Sequence, residues 1–305
     1  MTNPEDTLVE QAVAACYSTW ADNYFDLYYG EAAPYPPVHA DIIRDMLLAD
    51  GVTTVLDAGC GPASFLRHIA DTSLEWHGFD LTPEMVDEAV RVAQRLDRPA
   101  SEAWVGSVLD DDAFHSPSGV PFDGAVMVGV LPHVPAEHDE PVLRRLHDAV
   151  TPGGTLIAEA RNGLFGMFSL NRPTFTLFSD TLIRWEALQS QAQPDEAATL
   201  AGLREALAAR FRMDLPPVRP GQSGQKGYDE VLSRTHIPFE LAESARRAGW
   251  RDVSLHYAHF HALPPMFESI VPKVFRSASI AMEDPDDWRG LVMASAFIVK
   301  GKRAK

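Results

Sequence analysis

The sequence predicts an α/β protein: a doubly wound, mostly parallel seven-stranded sheet with helices on both faces and an inserted lid. Three observations predict it. Residues from Thr53 to Asn162 alternate short apolar runs with amphipathic segments. The first apolar run ends in a Gly-x-Gly turn at Gly59-Cys60-Gly61. A second run ends in an acid, Asp80, about twenty residues further on. Strand-helix alternation of this kind favours parallel strands, because each helix carries the chain back across the sheet.

Val55-Leu56 opens the first strand, and Pro62 to Ala70 reads as a helix. Leu74 to Leu81 is the second strand. Thr82 is expected to cap the next helix, with Pro83 in its first position and Glu84 at the positive end of its dipole. Met85, Val86, Ala89, Val90, Ala93 and Leu96 then form one apolar face at helical spacing. Strands are predicted near Ala103 to Val108 and from Gly124 to Leu131, followed by a helix over Glu140 to Val150. Thr151-Pro152-Gly153-Gly154 reads as a turn before a fifth strand, Thr155 to Ala160.

The alternation then breaks. An aromatic stretch (Phe165, Phe168, Phe175, Phe178) leads to a helix with Leu200, Leu203, Leu207 and Phe211 on one side. A loop with Pro216-Pro217 and Gly221-Gln222-Ser223-Gly224 follows. A helix from Pro238 to Ala248 and strands near Val253 to His261 and Leu291 to Val299 resume the sheet. The expected organisation is an N-terminal helical cap at 1–40, a core at 41–162 and 236–305, and a substrate lid at 163–235.

Composition narrows the function. Of 305 residues, 46% are hydrophobic and 23% charged, as in globular proteins, and the net charge is −17. That field repels polyphosphates, so neither nucleic acid nor an anionic membrane is expected as a partner. Only Cys16 and Cys60 are present, which argues against a disulfide framework. The acidic N-terminus lacks the apolar stretch of a signal peptide, and no apolar run is long enough to span a membrane. A cytoplasmic enzyme is the expectation, with homodimerisation open.

The strongest motif is Val55-Leu56-Asp57-Ala58-Gly59-Cys60-Gly61-Pro62. Its glycines let the backbone turn sharply and approach a ligand without an intervening Cβ. Asp80 stands where an acid accepts from ribose hydroxyls. A nicotinamide cofactor uses a similar arrangement. Against it, Asp57 would face a pyrophosphate, and Ser64 replaces the third fingerprint glycine. The segment resembles motif I of the class I methyltransferases that depend on S-adenosylmethionine (SAM). The likeness extends over roughly residues 50 to 162. It includes Gly106-Ser107-Val108, Phe122-Asp123-Gly124-Ala125-Val126 and Pro152-Gly153-Gly154. In the leader, Tyr17-Ser18-Thr19-Trp20-Ala21-Asp22-Asn23-Tyr24 resembles the segment that precedes the core in small-molecule members.

The resemblance implies SAM as cofactor. It implies that Gly59 and Gly61 line it, that Asp57 orients the methionine end, and that Asp80 binds the ribose. Leu81 and Met85 would pack near the adenine, with Ser107 and Val108 at the third motif. Val130 and Leu131 would border the methyl group, and Tyr17 and Tyr24 would close over it. The sequence departs from the family at Ser107, where an acid usually meets the adenine amino group; Asp110 or backbone groups are the substitutes considered.

Methyl transfer needs a base only when the acceptor must lose a proton. His133, after the fourth strand, is the first candidate and His39 the second. Arg161, Asn162, Tyr257, His259 and His261 are candidate substrate contacts. The alternating Tyr257, His259 and His261 are expected on one strand face. With no further ligands at recognisable spacing, no metal site is expected. The expected activity is methyl transfer to O or N of a small-molecule acceptor, such as a sugar derivative or secondary metabolite. A nicotinamide-dependent oxidoreductase and a non-catalytic SAM-binding protein are the alternatives.

Overall fold

The computed structural model describes residues 3–20, 24–30, 36–98, 101–218 and 227–305. The predicted glycine loop at 221–224, and residues 21–23 of the leader segment, lie outside them. One sheet of seven strands organises the chain: β1 (Thr54–Ala58), β2 (Glu75–Asp80), β3 (Glu102–Val105), β4 (Phe122–Met127), β5 (Val150–Arg161), β6 (Arg251–Phe260) and β7 (Ala294–Lys302). Their order is β3-β2-β1-β4-β5-β7-β6. All neighbours are parallel except β7, which runs antiparallel to β5 and β6. The C-terminal ends of β1, β2, β3, β4 and β5 therefore share one edge, where open α/β sheets bind ligands.

Three helices precede β1: α1 (Pro4–Tyr17), α2 (Tyr24–Tyr28) and α3 (Val38–Ala49). α4 (Ser64–His68) follows β1, α5 (Pro83–Arg95) follows β2 and α6 (Asp139–Ala149) follows β4. α7 (Gly166–Ser169), α8 (Arg172–Thr176), α9 (Trp185–Gln191) and α10 (Pro194–Ala208) build the segment after β5. α11 (Pro238–Arg247) leads into β6. α12 (Pro272–Ala281) and α13 (Gly290–Met293) occupy a second excursion between β6 and β7; the sequence reading gave no element at α12, and it began the last strand at Leu291, which lies in α13. No helix among the described residues is long and apolar enough to cross a membrane.

Two apolar layers flank the sheet. Leu56, Phe79, Phe114, Leu143, Trp250 and Phe297 belong to one. Val55, Trp76, Ile43, Leu47, Leu66 and Ile157 belong to the other. Neighbouring positions on β1 thus face opposite layers, as strand alternation requires.

Several boundaries differ from the sequence expectation. The helix expected from Pro62 begins only at Ser64, because Ala63 is left-handed with φ 56°. Thr82 precedes α5 without a side-chain capping bond; Asp80 Oδ1 instead accepts from the Thr82 amide at 2.8 Å. The fourth strand stops at Met127, and Gly129, with φ 70°, turns the chain away. Thr151 to Gly154 lie within β5 as a bulge, where the β4 pairing shifts from Phe122–Val150 to Gly124–Thr155. The apolar side predicted for α10 is open to solvent at Leu203, which is 50% exposed. The segment after β5 departs and returns at one isolated bridge, Asn162 with His236.

Candidate active site

A cavity opens at the shared strand edge, and the glycine turn forms its floor. Gly59 and Cys60 both donate their amides to the Phe79 carbonyl, at 2.8 and 2.9 Å. Gly59 has φ 79°, and a Cβ there would lie 2.3 Å from Val130 Cγ2, so only glycine fits. Gly61 has φ 53°, and nothing stands within 4 Å of where its Cβ would be. Its bare backbone faces the cavity.

Asp80 ends β2 beside this turn. Its Oδ2 accepts from the Gly61 amide at 2.9 Å and its Oδ1 from Thr82. These bonds set the carboxylate between the glycine turn and the start of α5. Burial raises its pKa, while the two amides pull it back. Leu81, Met85, Val108 and Leu109 supply apolar walls.

The roof comes from α1. Glu10, Val13 and Tyr17 all border the cavity, together with Tyr24 of α2. Tyr17 Oη lies 2.8 Å from His133 Nε2. His133 Nδ1 lies 2.6 Å from the Leu232 carbonyl, which can only accept. The proton of the neutral ring therefore sits on Nδ1, and Nε2 accepts from the Tyr17 hydroxyl. Burial lowers the His133 pKa to about 4; the Leu232 carbonyl opposes the shift, and the Arg161 charge adds to it.

Ten of the twelve expected cofactor residues, Tyr17, Tyr24, Gly59, Gly61, Asp80, Leu81, Met85, Ser107, Val108 and Val130, border this one cavity, and so does His133. Asp57 does not. It is 2% exposed beneath the turn, and its Oδ2 accepts from Trp76 Nε1 at 3.0 Å. Burial pushes its pKa up to about 7. Leu131 is likewise in the core, because the turn at Gly129 swings it inward.

The other candidates are elsewhere. His39, at the start of α3, does not border the cavity; its Nε2 lies 3.1 Å from Tyr29 Oη and its Nδ1 2.8 Å from His259 Nε2. Burial holds His39 well below the ordinary histidine range and lowers His259 to about 4. Tyr257, His259 and His261 do not share a face. His259 has φ 62°, and this breaks the strand alternation. Tyr257 and Phe260 both press on Gly290, while His261 packs against Phe165 and Phe275.

Arg161 and Asn162 border a second cleft, between the segment after β5 and α11. Arg161 donates to Ser233 Oγ. Asn162 is 3% exposed, and its amide is spent on the Gly290, Leu291 and Ala294 carbonyls, at 3.2, 2.9 and 2.9 Å. It joins elements rather than presenting a free donor. Of Phe165, Phe168, Phe175 and Phe178, only Phe165 borders this cleft.

Sequence reasoning missed Glu10 and Val13. Their signal was available: Asn3-Pro4-Glu5-Asp6 is a helix start, and residues 6, 10, 13 and 17 fall on one helical stripe.

Residues 56–156 match a family model described as a methyltransferase domain. No curated protein matches the chain in sequence. Among solved structures, magnesium protoporphyrin IX methyltransferase from Synechocystis PCC 6803, with bound SAH, is similar over 98% of this chain and 99% of its own, at 14% identity and a TM-score of 0.51. An O-methyltransferase family protein from Burkholderia thailandensis aligns over 88% of this chain and 56% of its own, at 15% identity and a TM-score of 0.49. Haemonchus contortus phosphoethanolamine N-methyltransferase 2, in complex with S-adenosyl-L-methionine, aligns over 94% and 57%, at 14% identity and a TM-score of 0.49. The chain spans a little over half the length of the last two. The methyltransferase-domain match covers about a third of the chain, and the likeness in fold to the magnesium protoporphyrin IX methyltransferase extends over nearly all of it.

Proposed function

We propose that this chain transfers the methyl group of SAM to an oxygen or nitrogen of a small-molecule acceptor. One observation carries the reading: a single cavity gathers a bare glycine turn, an acid at the end of β2, apolar walls and the Tyr17–His133 pair. SAM, when bound, supplies a methyl on a cationic sulfur. Asp80 would hold the ribose, Leu81 and Met85 the base, and Tyr17 and Tyr24 would keep water from the transfer end.

His133 is the candidate base; the Leu232 carbonyl fixes its Nε2 lone pair on the Tyr17 hydroxyl, through which an acceptor proton would reach it. A basicity lowered to about 4 makes it a weak base before transfer. Proton acceptance would therefore accompany methyl transfer, and positioning would supply much of the acceleration. Residues 163–235 serve as the acceptor lid in this reading, since Gly163, Phe165, Arg172 and Leu177 line the second cleft and Arg161 stands at the end of β5. The free thiols of Cys16 and Cys60 fit a reducing, cytoplasmic setting.

The test is incubation of methyl-labelled SAM with fractionated host metabolites, followed by mass spectrometry. The expected result is one low-mass species that gains a methyl group, and loss of that product with Asp80→Ala. SAM binding without S-adenosylhomocysteine release would identify a non-catalytic binder instead.

A further inference from the structure

We propose that Glu10, on the N-terminal helix, reads the 6-amino edge of the adenosyl base, so that an element outside the sheet completes the cofactor site. The inference rests on the SAM reading above. The third motif offers Ser107 where an acid would be expected, and its hydroxyl is already committed: Oγ donates to Glu10 Oε1 and accepts from the Leu109 amide at 2.9 Å. Ser107 thus positions a carboxylate that arrives from α1.

Glu10 is held there from both sides. Four residues before it, the buried Asp6 accepts from His138 Nε2 at 3.0 Å. Seven residues after it, Tyr17 meets His133. Asp6, Glu10, Val13 and Tyr17 form one stripe, of which Glu10, Val13 and Tyr17 line the cavity. Two carboxylates border the cavity among the described residues. Asp80 is fixed at the glycine-turn end by Gly61 and Thr82. Glu10 stands on Ser107, just past the end of β3, and Leu81, Met85 and Val108 line the same cavity.

An ionised carboxylate only accepts hydrogen bonds, at about four lone-pair sites, and the Ser107 hydroxyl uses one. A 6-amino purine brings an N–H donor to that point. A 6-oxo purine brings an oxygen lone pair, which the carboxylate repels. Glu10 is therefore a specificity-determining residue for the base.

The test is calorimetric titration of the full chain with S-adenosylhomocysteine and with its 6-oxo counterpart, S-inosylhomocysteine. The wild-type chain is expected to prefer the amino form by roughly 10- to 100-fold, the range for a hydrogen bond to a charged group. Glu10→Gln, whose amide can also donate to an oxo group, should bring the two affinities within about threefold. Adding Ser107→Asp to that variant should restore the preference by returning an acid to the turn after β3, which separates lost recognition from lost folding. A Glu10→Gln chain that keeps the wild-type preference overturns the assignment. A wild-type chain that binds neither compound overturns the SAM reading itself.

Discussion

Asp57 carries a carboxyl that the fold suppresses as an acid. It lies under the glycine turn with one bond to Trp76, and burial lifts its pKa from 3.8 to about 7. The unfolded chain releases this proton near pH 4 and the folded chain near pH 7. Stability attributable to Asp57 is therefore complete below the unfolded value and is lost as pH rises through the folded one. Asp57→Asn removes that dependence. Between pH 4 and 8, the variant should gain on the wild type by up to about 4 kcal/mol in urea denaturation, whatever constant offset the buried amide adds. Equal pH slopes in the two proteins would contradict the assignment. The motif at Asp57 was legible because residue order alone defines it. Its direction was not. A strand alternates faces, and the sequence does not say which layer Trp76 fills.

At the scale of elements, α1 docks through a polar stripe. Asp6, Glu10 and Tyr17 meet His138, Ser107 and His133 in turn. Asp6→Ala frees the outermost of these contacts. Hydrogen exchange of the Pro4–Tyr17 amides should quicken by about tenfold, while the amides of β1 and β4 stay protected. Equal exchange across α1 would show that the apolar contacts alone hold it. Strands and the long amphipathic helices were legible, since periodicity is a strong signal over many residues. Their ends were not, because single conformations decide them. Ala63 and His259 adopt positive φ without being glycine. The β5 bulge kept Pro152-Gly153-Gly154 inside a strand that composition marks as a turn. The histidines of β6 were misread for the same reason: one left-handed residue turns His259 toward His39.

Over the whole molecule, charge works against compactness. A net charge of −17 repels itself, and many acids, such as Asp111 and Asp148, lie on the surface. Added salt screens that repulsion over about 10 Å at 0.1 M. The melting temperature should rise by a few degrees between low salt and about 0.3 M sodium chloride, in scanning calorimetry. A fall would mean that the exposed ion pairs outweigh the net field. The mostly parallel, seven-stranded sheet was legible from the alternation of elements. The excursion between β6 and β7 was not, because it interrupts a stretch whose flanking strands are antiparallel and need no helix between them.

Asn162 ties both excursions to the sheet at one place. Its backbone pairs with His236, where the first segment returns, and its side-chain amide holds the carbonyls around α13 of the second. The described end of the first segment also reaches the cavity, since the Leu232 carbonyl holds His133, while the glycine floor lies two strands away from Asn162. Such a plan makes one side chain the keystone of both upper storeys, so that its loss would loosen them together.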